Sequence, residues 1–200
     1  MPSSAESRRL GSIAWCAVGA LLALPALGVF DSATAARTLS WDPALWWDQP
    51  WRWWSAAWVH LSRLHLLANL SGAVLVVALG VTARLPVRAA VAWALAWPAT
   101  HLGLLAMPEL TRYGGLSGVL HAGVAVAATA MLLRSARGER LLGGAIAAVV
   151  VVKLLAEAPW RGPLQQPDGW DIAVAPLAHA TGALAGTALA LVCLLPGRRR

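Results

Sequence analysis

Charged residues interrupt this chain at wide intervals, and the stretches between them are long and apolar. Leu10–Phe30 carries no charge over 21 residues, Leu64–Ala83 none over 20, Ala89–Pro108 none over 20 and Tyr113–Leu133 none over 21. A fifth stretch, Leu141–Val152, runs only 12 and extends to Ala156 if Lys153 is tolerated; a sixth, Ile172–Gly197, runs 26. A hydrocarbon layer about 30 Å thick is crossed by roughly 20 helical residues rising 1.5 Å each. The pattern therefore predicts an all-α, polytopic membrane protein: one domain over residues 1–200, with six transmembrane helices at about 10–30, 60–83, 86–106, 117–133, 141–157 and 172–195. No repeat, low-complexity tract or linker divides the chain.

The fifth helix is the least regular of the six. Lys153 and Glu157 stand i,i+4 within it. That spacing fits an ion pair snorkelling to an interface; a functional pair inside the span is the alternative reading. At the start of the chain, Arg8-Arg9, an apolar run and Ala33-Thr34-Ala35 resemble a secretory signal with its cleavage site. The run exceeds the usual length of a signal core and five more spans follow, so it is read as the first membrane helix. Between the first two helices, residues 31–58 hold seven of the twelve tryptophans. Tryptophan favours the headgroup zone, which places this first loop in the outer interface rather than across the membrane.

Composition and charge agree with this picture and add an orientation. The chain is 58% hydrophobic and 12% charged with mean hydropathy +0.63, against about 25% charged in soluble domains, which excludes a cytosolic globule and a disordered chain. Two cysteines, Cys16 and Cys193, do not make a disulfide framework. The net charge of +7 sits in short clusters between apolar runs, so nucleic acid is not an expected partner. With the N-terminus in the cytoplasm, the inside segments hold Arg8, Arg9, Arg84, Arg88, Arg134, Arg137, Arg140 and Arg198–Arg200, and most acids fall outside. The positive-inside rule then puts both termini in the cytoplasm.

Polar residues inside a bilayer are costly and mark function. Counted from the cytoplasmic ends of their helices, Ser117, His179, His65 and Asn69 all lie about 21–27 Å above the inner boundary, in one layer delivered by three helices. Ser117 follows Gly114-Gly115-Leu116 at a helix start, where free backbone N–H groups can stabilise an oxyanion. His179 stands above Gly182 and Gly186, a small-residue stripe that lets another helix approach closely. If that helix carries Ser117, the imidazole can serve as its general base. His65 and Asn69, i,i+4 on one face, can both donate hydrogen bonds to an oxyanion. No Asp or Glu falls near this layer in the four best-defined spans, so the expectation is a Ser–His pair and not a three-membered triad. The other class of reading is a histidine-rich metal or haem protein built on His65, His121 and His179. It lacks accompanying Cys, Asp or Glu ligands, and neither metal nor cofactor is expected.

These motifs together resemble the rhomboid family of intramembrane serine proteases. Trp51-Arg52 followed by His60, His65 and Asn69 is similar to the family's first loop and second helix. Gly115-Leu116-Ser117-Gly118 is similar to its serine motif, and His179 with Gly182 and Gly186 to the histidine motif of its sixth helix. The resemblance spans residues 51–186. It implies Ser117 as nucleophile, His179 as base, and an oxyanion hole of His65, Asn69 and the Ser117 N–H. It also implies that Arg52 and the tryptophan-rich loop brace the fold, with Gly115, Gly118, Gly182 and Gly186 in support. The fifth helix and residues of about 158–171 would form a lateral gate. His121, one turn after Ser117, departs from ordinary bacterial rhomboids, which carry tyrosine there. Gly-Leu-Ser-Gly-Val-Leu-His resembles the rhombosortase branch, whose associated proteins end in a Gly-Gly motif, a membrane helix and a basic tail. The resemblance thus implies peptide-bond cleavage at the periplasmic edge of a bacterial inner membrane. Its partners would be membrane-anchored protein substrates and the lipid bilayer, with no obligate partner protein.

Overall fold

The computed structural model describes residues 3–195. The Arg198–Arg200 cluster used to orient the last helix lies outside them. Eight α-helices run in order: α1 Ser4–Val29, α2 Ala33–Leu39, α3 Arg52–Ser55, α4 Arg63–Thr82, α5 Val87–Leu102, α6 Ser117–Leu132, α7 Arg137–Glu157 and α8 Pro176–Leu194. Helix α1 starts ahead of its expected position because Ser3 and Glu6 form a reciprocal capping box. Ser62 caps α4, its hydroxyl accepting from the His65 N–H. Helix α7 begins at Arg137, earlier than expected, so Arg137, Glu139 and Arg140 form its first turn. Helix α8 begins at Pro176 rather than at about 172, because Val174 is held extended in a bridge with Gln165.

Five helices, α1, α4, α5, α7 and α8, are long and apolar enough to cross a bilayer. Helix α6, with 16 residues, starts at the expected Ser117 and ends one residue before Leu133. The preceding residues are extended and pair Tyr113 with Trp41, N–H to carbonyl at 2.8 and 3.2 Å. Most of α6 is buried, so its neighbours rather than lipid satisfy it. The lipid-facing sides are the reverse of a soluble surface: Leu21, Leu24, Val74, Leu75, Val149, Val152, Leu184 and Val192 all point outward.

Inside, alanine, glycine and tryptophan build the core. Trp15 and Trp93 pack with ring centroids 4.5 Å apart, and their indole N–H groups donate to the Val76 and Val119 carbonyls at 3.0 and 2.9 Å. These bonds fill the polar end of each ring where no water reaches. The first loop is stapled by Arg52. Its guanidinium donates to the carbonyls of Ser40 and Arg37, closing the C-terminal end of α2, and its Nε donates to Gln49 at 2.7 Å. Arg134 donates to the Ala83 carbonyl at 2.6 Å and pairs with Glu139 at 2.6 Å, tying the α6–α7 turn to the α4–α5 turn at one end of the bundle.

Candidate active site

The site is built where α6 crosses α8. A Cβ on Gly182 would run into the Gly118 carbonyl, and one on Gly186 would come within 2.8 Å of the Ala122 Cα. A Cβ on Gly118 would stand 2.7 Å from the Ala178 carbonyl oxygen. The two backbones are therefore in direct contact over two turns, which only small residues permit. At the upper end of this seam, Ser117 Oγ and His179 Nε2 are 2.9 Å apart. Ser117 is the first residue of α6, so its own N–H has no partner within the helix.

Opposite the serine, α4 supplies His65 and Asn69, both buried. They close on Gly115, where a Cβ would fall 2.8 Å from the His65 ring and 3.8 Å from Asn69 Nδ2. Gly115 has φ +142°, a conformation L-residues rarely adopt, so this position needs glycine both for its backbone and for its space. Gly115 N–H donates to the Ala56 carbonyl at 2.9 Å, fixing the turn before Ser117 to the first loop. Asn69 Nδ2 is buried without a hydrogen-bond partner. His65 Nδ1 lies 3.5 Å from the Leu61 N–H, which leaves Nε2 as the ring's donor on the Gly115 side. His60 packs on His65 with centroids 4.8 Å apart; burial pushes its imidazole down to about 4, so it is neutral at physiological pH.

His121 lies flat on His179, with centroids 4.3 Å apart and planes 18° apart, and its Nδ1–H donates to the Ser117 carbonyl at 2.7 Å. It thus both packs on His179 and holds the first turn of α6. His101 is fully buried with Nδ1 2.5 Å from the Trp53 carbonyl, so it ties α5 to the first loop. Arg52 is remote from the serine and acts on the loop alone.

One residue revises the sequence expectation. Glu157, the last residue of α7, places Oε2 2.7 Å from His179 Nδ1. Its other oxygen is held by Lys153. The four best-defined spans carry no acid at this depth. The acid arrives from the fifth, where the i,i+4 pair with Lys153 was the available signal.

Ser117, His179, His65, Asn69, His121, Lys153 and Glu157 all border one cavity of about 620 Å³ between α4, α6 and α7. Its deeper wall is apolar, with Gly72 and Val76 from α4, Leu120 and Val124 from α6 and Val150 from α7. The segment after α7 covers the top: Trp170 lies edge-on to His65 at 6.4 Å, and Asp171 accepts from Ser62 Oγ at 2.8 Å. Among the described residues, no three of His, Cys, Asp and Glu are placed to hold a metal ion. Stacked, His121 and His179 direct their nitrogens in-plane to different partners. A hydroxyl against an imidazole, the unpaired Asn69 amide donor and an apolar cleft together suit acyl transfer on a membrane-embedded peptide. The family model described as a Rhomboid domain matches residues 48–196. No curated protein matches the chain.

Proposed function

The chain belongs to the rhomboid family of intramembrane serine proteases, and from that premise we propose that Ser117 and His179 cleave the membrane anchors of envelope proteins. The observation that carries the assignment is the 2.9 Å contact between Ser117 Oγ and His179 Nε2, at the wall of a cavity that also holds the unpaired Asn69 amide. A substrate segment enters between α4 and α7 and unwinds at a Gly-rich stretch. His179 Nε2 takes the Ser117 proton as Oγ attacks the scissile carbonyl carbon. The negative charge that develops on the carbonyl oxygen is met by Asn69 Nδ2, His65 Nε2 and the Ser117 N–H. As the C–N bond breaks, the proton passes from His179 to the leaving amine. Water, or an amine in a transfer reaction, then attacks the acyl-enzyme with His179 again as base.

The rhombosortase-type substrate, an anchor beginning at Gly-Gly and ending in a basic tail, is favoured by the Gly-Leu-Ser-Gly-Val-Leu-His string and by His121 stacked where that branch carries histidine. The reading as a general rhomboid protease on other membrane substrates is the alternative, and substrate choice separates them. Arg84, Arg88, Arg134 and Arg137 cluster at the bundle end opposite the site, which favours a cytoplasmic placement of that end in a bacterial inner membrane and a periplasmic mouth for the cavity.

The test is cleavage of two tagged substrates, one with a Gly-Gly anchor and one with an unrelated transmembrane segment, co-expressed with the parent protein, Ser117→Ala or His179→Ala. The parent cuts the Gly-Gly substrate in preference, and both variants insert normally and cut neither. Cleavage by Ser117→Ala at the parental rate contradicts the proposed nucleophile.

A further inference from the structure

A histidine acts as a base on serine only in one tautomer. For Nε2 to accept the Ser117 proton, the ring must carry its hydrogen on Nδ1, and that N–H then needs an acceptor. The rhomboid reading supplies a serine and a histidine and leaves this acceptor open. Here the only group within hydrogen-bond distance of His179 Nδ1 among the described residues is the Glu157 carboxylate, at 2.7 Å. His179 is buried, its side chain 6% exposed, whereas the Glu157 side chain is 26% exposed at the cavity wall. The carboxylate thus borders the cavity while the imidazole it faces is buried.

Three features fix it there. Lys153, one turn earlier on α7, holds the second oxygen and neutralises its charge. Ala158, the next residue, ends the helix in the left-handed region at φ 46°, a conformation that costs alanine about 1–2 kcal/mol and persists only where the surroundings impose it. The Ala158 carbonyl is in turn held by Gln165 Nε2 at 3.1 Å. The chain is therefore turned sharply away directly after Glu157, leaving its side chain beside His179.

We infer that Glu157 is a positioning residue that completes a Ser117–His179–Glu157 triad, fixing the His179 tautomer and ring orientation and stabilising the imidazolium formed when Ser117 attacks. Because Glu157 rides on α7 while Ser117 and His179 lie on α6 and α8, the triad is complete only with α7 seated. Helix α7 packs mainly on α6 and more lightly on α8, with Gly143 its one buried residue, so it is the least anchored wall of the cavity. Substrate entry past α7 and assembly of the base are thereby linked.

The inference rests on the Ser–His reading, and the experiment separates the two. Purified parent, Glu157→Gln, Glu157→Asp and Ser117→Ala proteins are assayed in proteoliposomes for kcat and KM on the Gly-Gly anchor substrate, with thermal stability measured alongside. Glu157→Gln keeps the size of the side chain and removes the charge. It lowers kcat on the order of 10²–10⁴-fold while KM stays within about threefold, and Glu157→Asp recovers at least tenfold of that loss. If Glu157 were merely a latch holding α7 closed, Glu157→Gln would keep or raise kcat, and that result overturns the inference. So does a loss confined to KM, or one not recovered by Asp in a protein of parental stability. Inactivity of Ser117→Ala with parental kcat in Glu157→Gln sinks the triad and leaves the Ser–His reading standing, whereas activity in Ser117→Ala removes both.

Discussion

Asn69 carries a buried amide nitrogen that donates to nothing. Burying an unpaired amide costs about 1–3 kcal/mol, which a partner bound during the reaction would offset. The account assigns that partner to the substrate oxyanion. Asn69→Ala should then lower kcat on the order of 10²-fold with KM little changed and thermal stability within about 1 kcal/mol of the parent, as read from steady-state kinetics and thermal unfolding. At this scale the sequence was informative wherever a residue's chemistry was unusual for its depth. Ser117, His65, Asn69 and His179 were each marked by polarity inside an apolar run. Glu157 is visible as one half of an i,i+4 pair with Lys153, open to an interfacial or a functional reading, and spacing along one helix cannot reveal a third partner on another. The roles of Trp15 and Trp93 were equally hidden. Their indole bonds to the Val76 and Val119 carbonyls join residues 61 and 26 positions apart, and nothing local signals them.

Helices α6 and α8 meet through Gly118, Ala122, Gly182 and Gly186, and this contact sets the distance between nucleophile and base. A single methyl tests it. Gly182→Ala forces the two backbones apart at the Gly118 carbonyl, so it should destabilise the protein by about 1–3 kcal/mol and lower kcat/KM more than tenfold while insertion into the membrane is retained. Hydropathy located these helices well because lipid imposes long uncharged runs. It was less informative about their ends, which depend on local bonding: the Ser3–Glu6 box for α1, and the Gln165–Val174 bridge that delays α8 to Pro176. Charge density also concealed the true start of α7, since Arg137, Glu139 and Arg140 read as a loop and prove to be a helical turn.

Across the whole molecule, the bundle divides into a densely packed part and one lightly packed wall. Helices α1, α4, α5, α6 and α8 share a continuous core of tryptophan and alanine, and the first loop is locked to it by His101 and the Trp41–Tyr113 bridge. Helix α7 contributes little to that core and borders the cavity from its open side. The segment that follows it crosses the top of the site, attached through the exposed Ser62–Asp171 bond. Such a division suits an enzyme whose substrate arrives sideways through lipid, because the reacting groups stay fixed while the entrance yields. Whether Ser117 is a nucleophile activated by His179 is decided by treating the protein in membranes with a fluorophosphonate and mapping the adduct by peptide mass spectrometry. One covalent phosphonyl group on Ser117, lost in His179→Ala, is the expected result; an adduct on another residue, or undiminished labelling of Ser117 in His179→Ala, overturns the assignment.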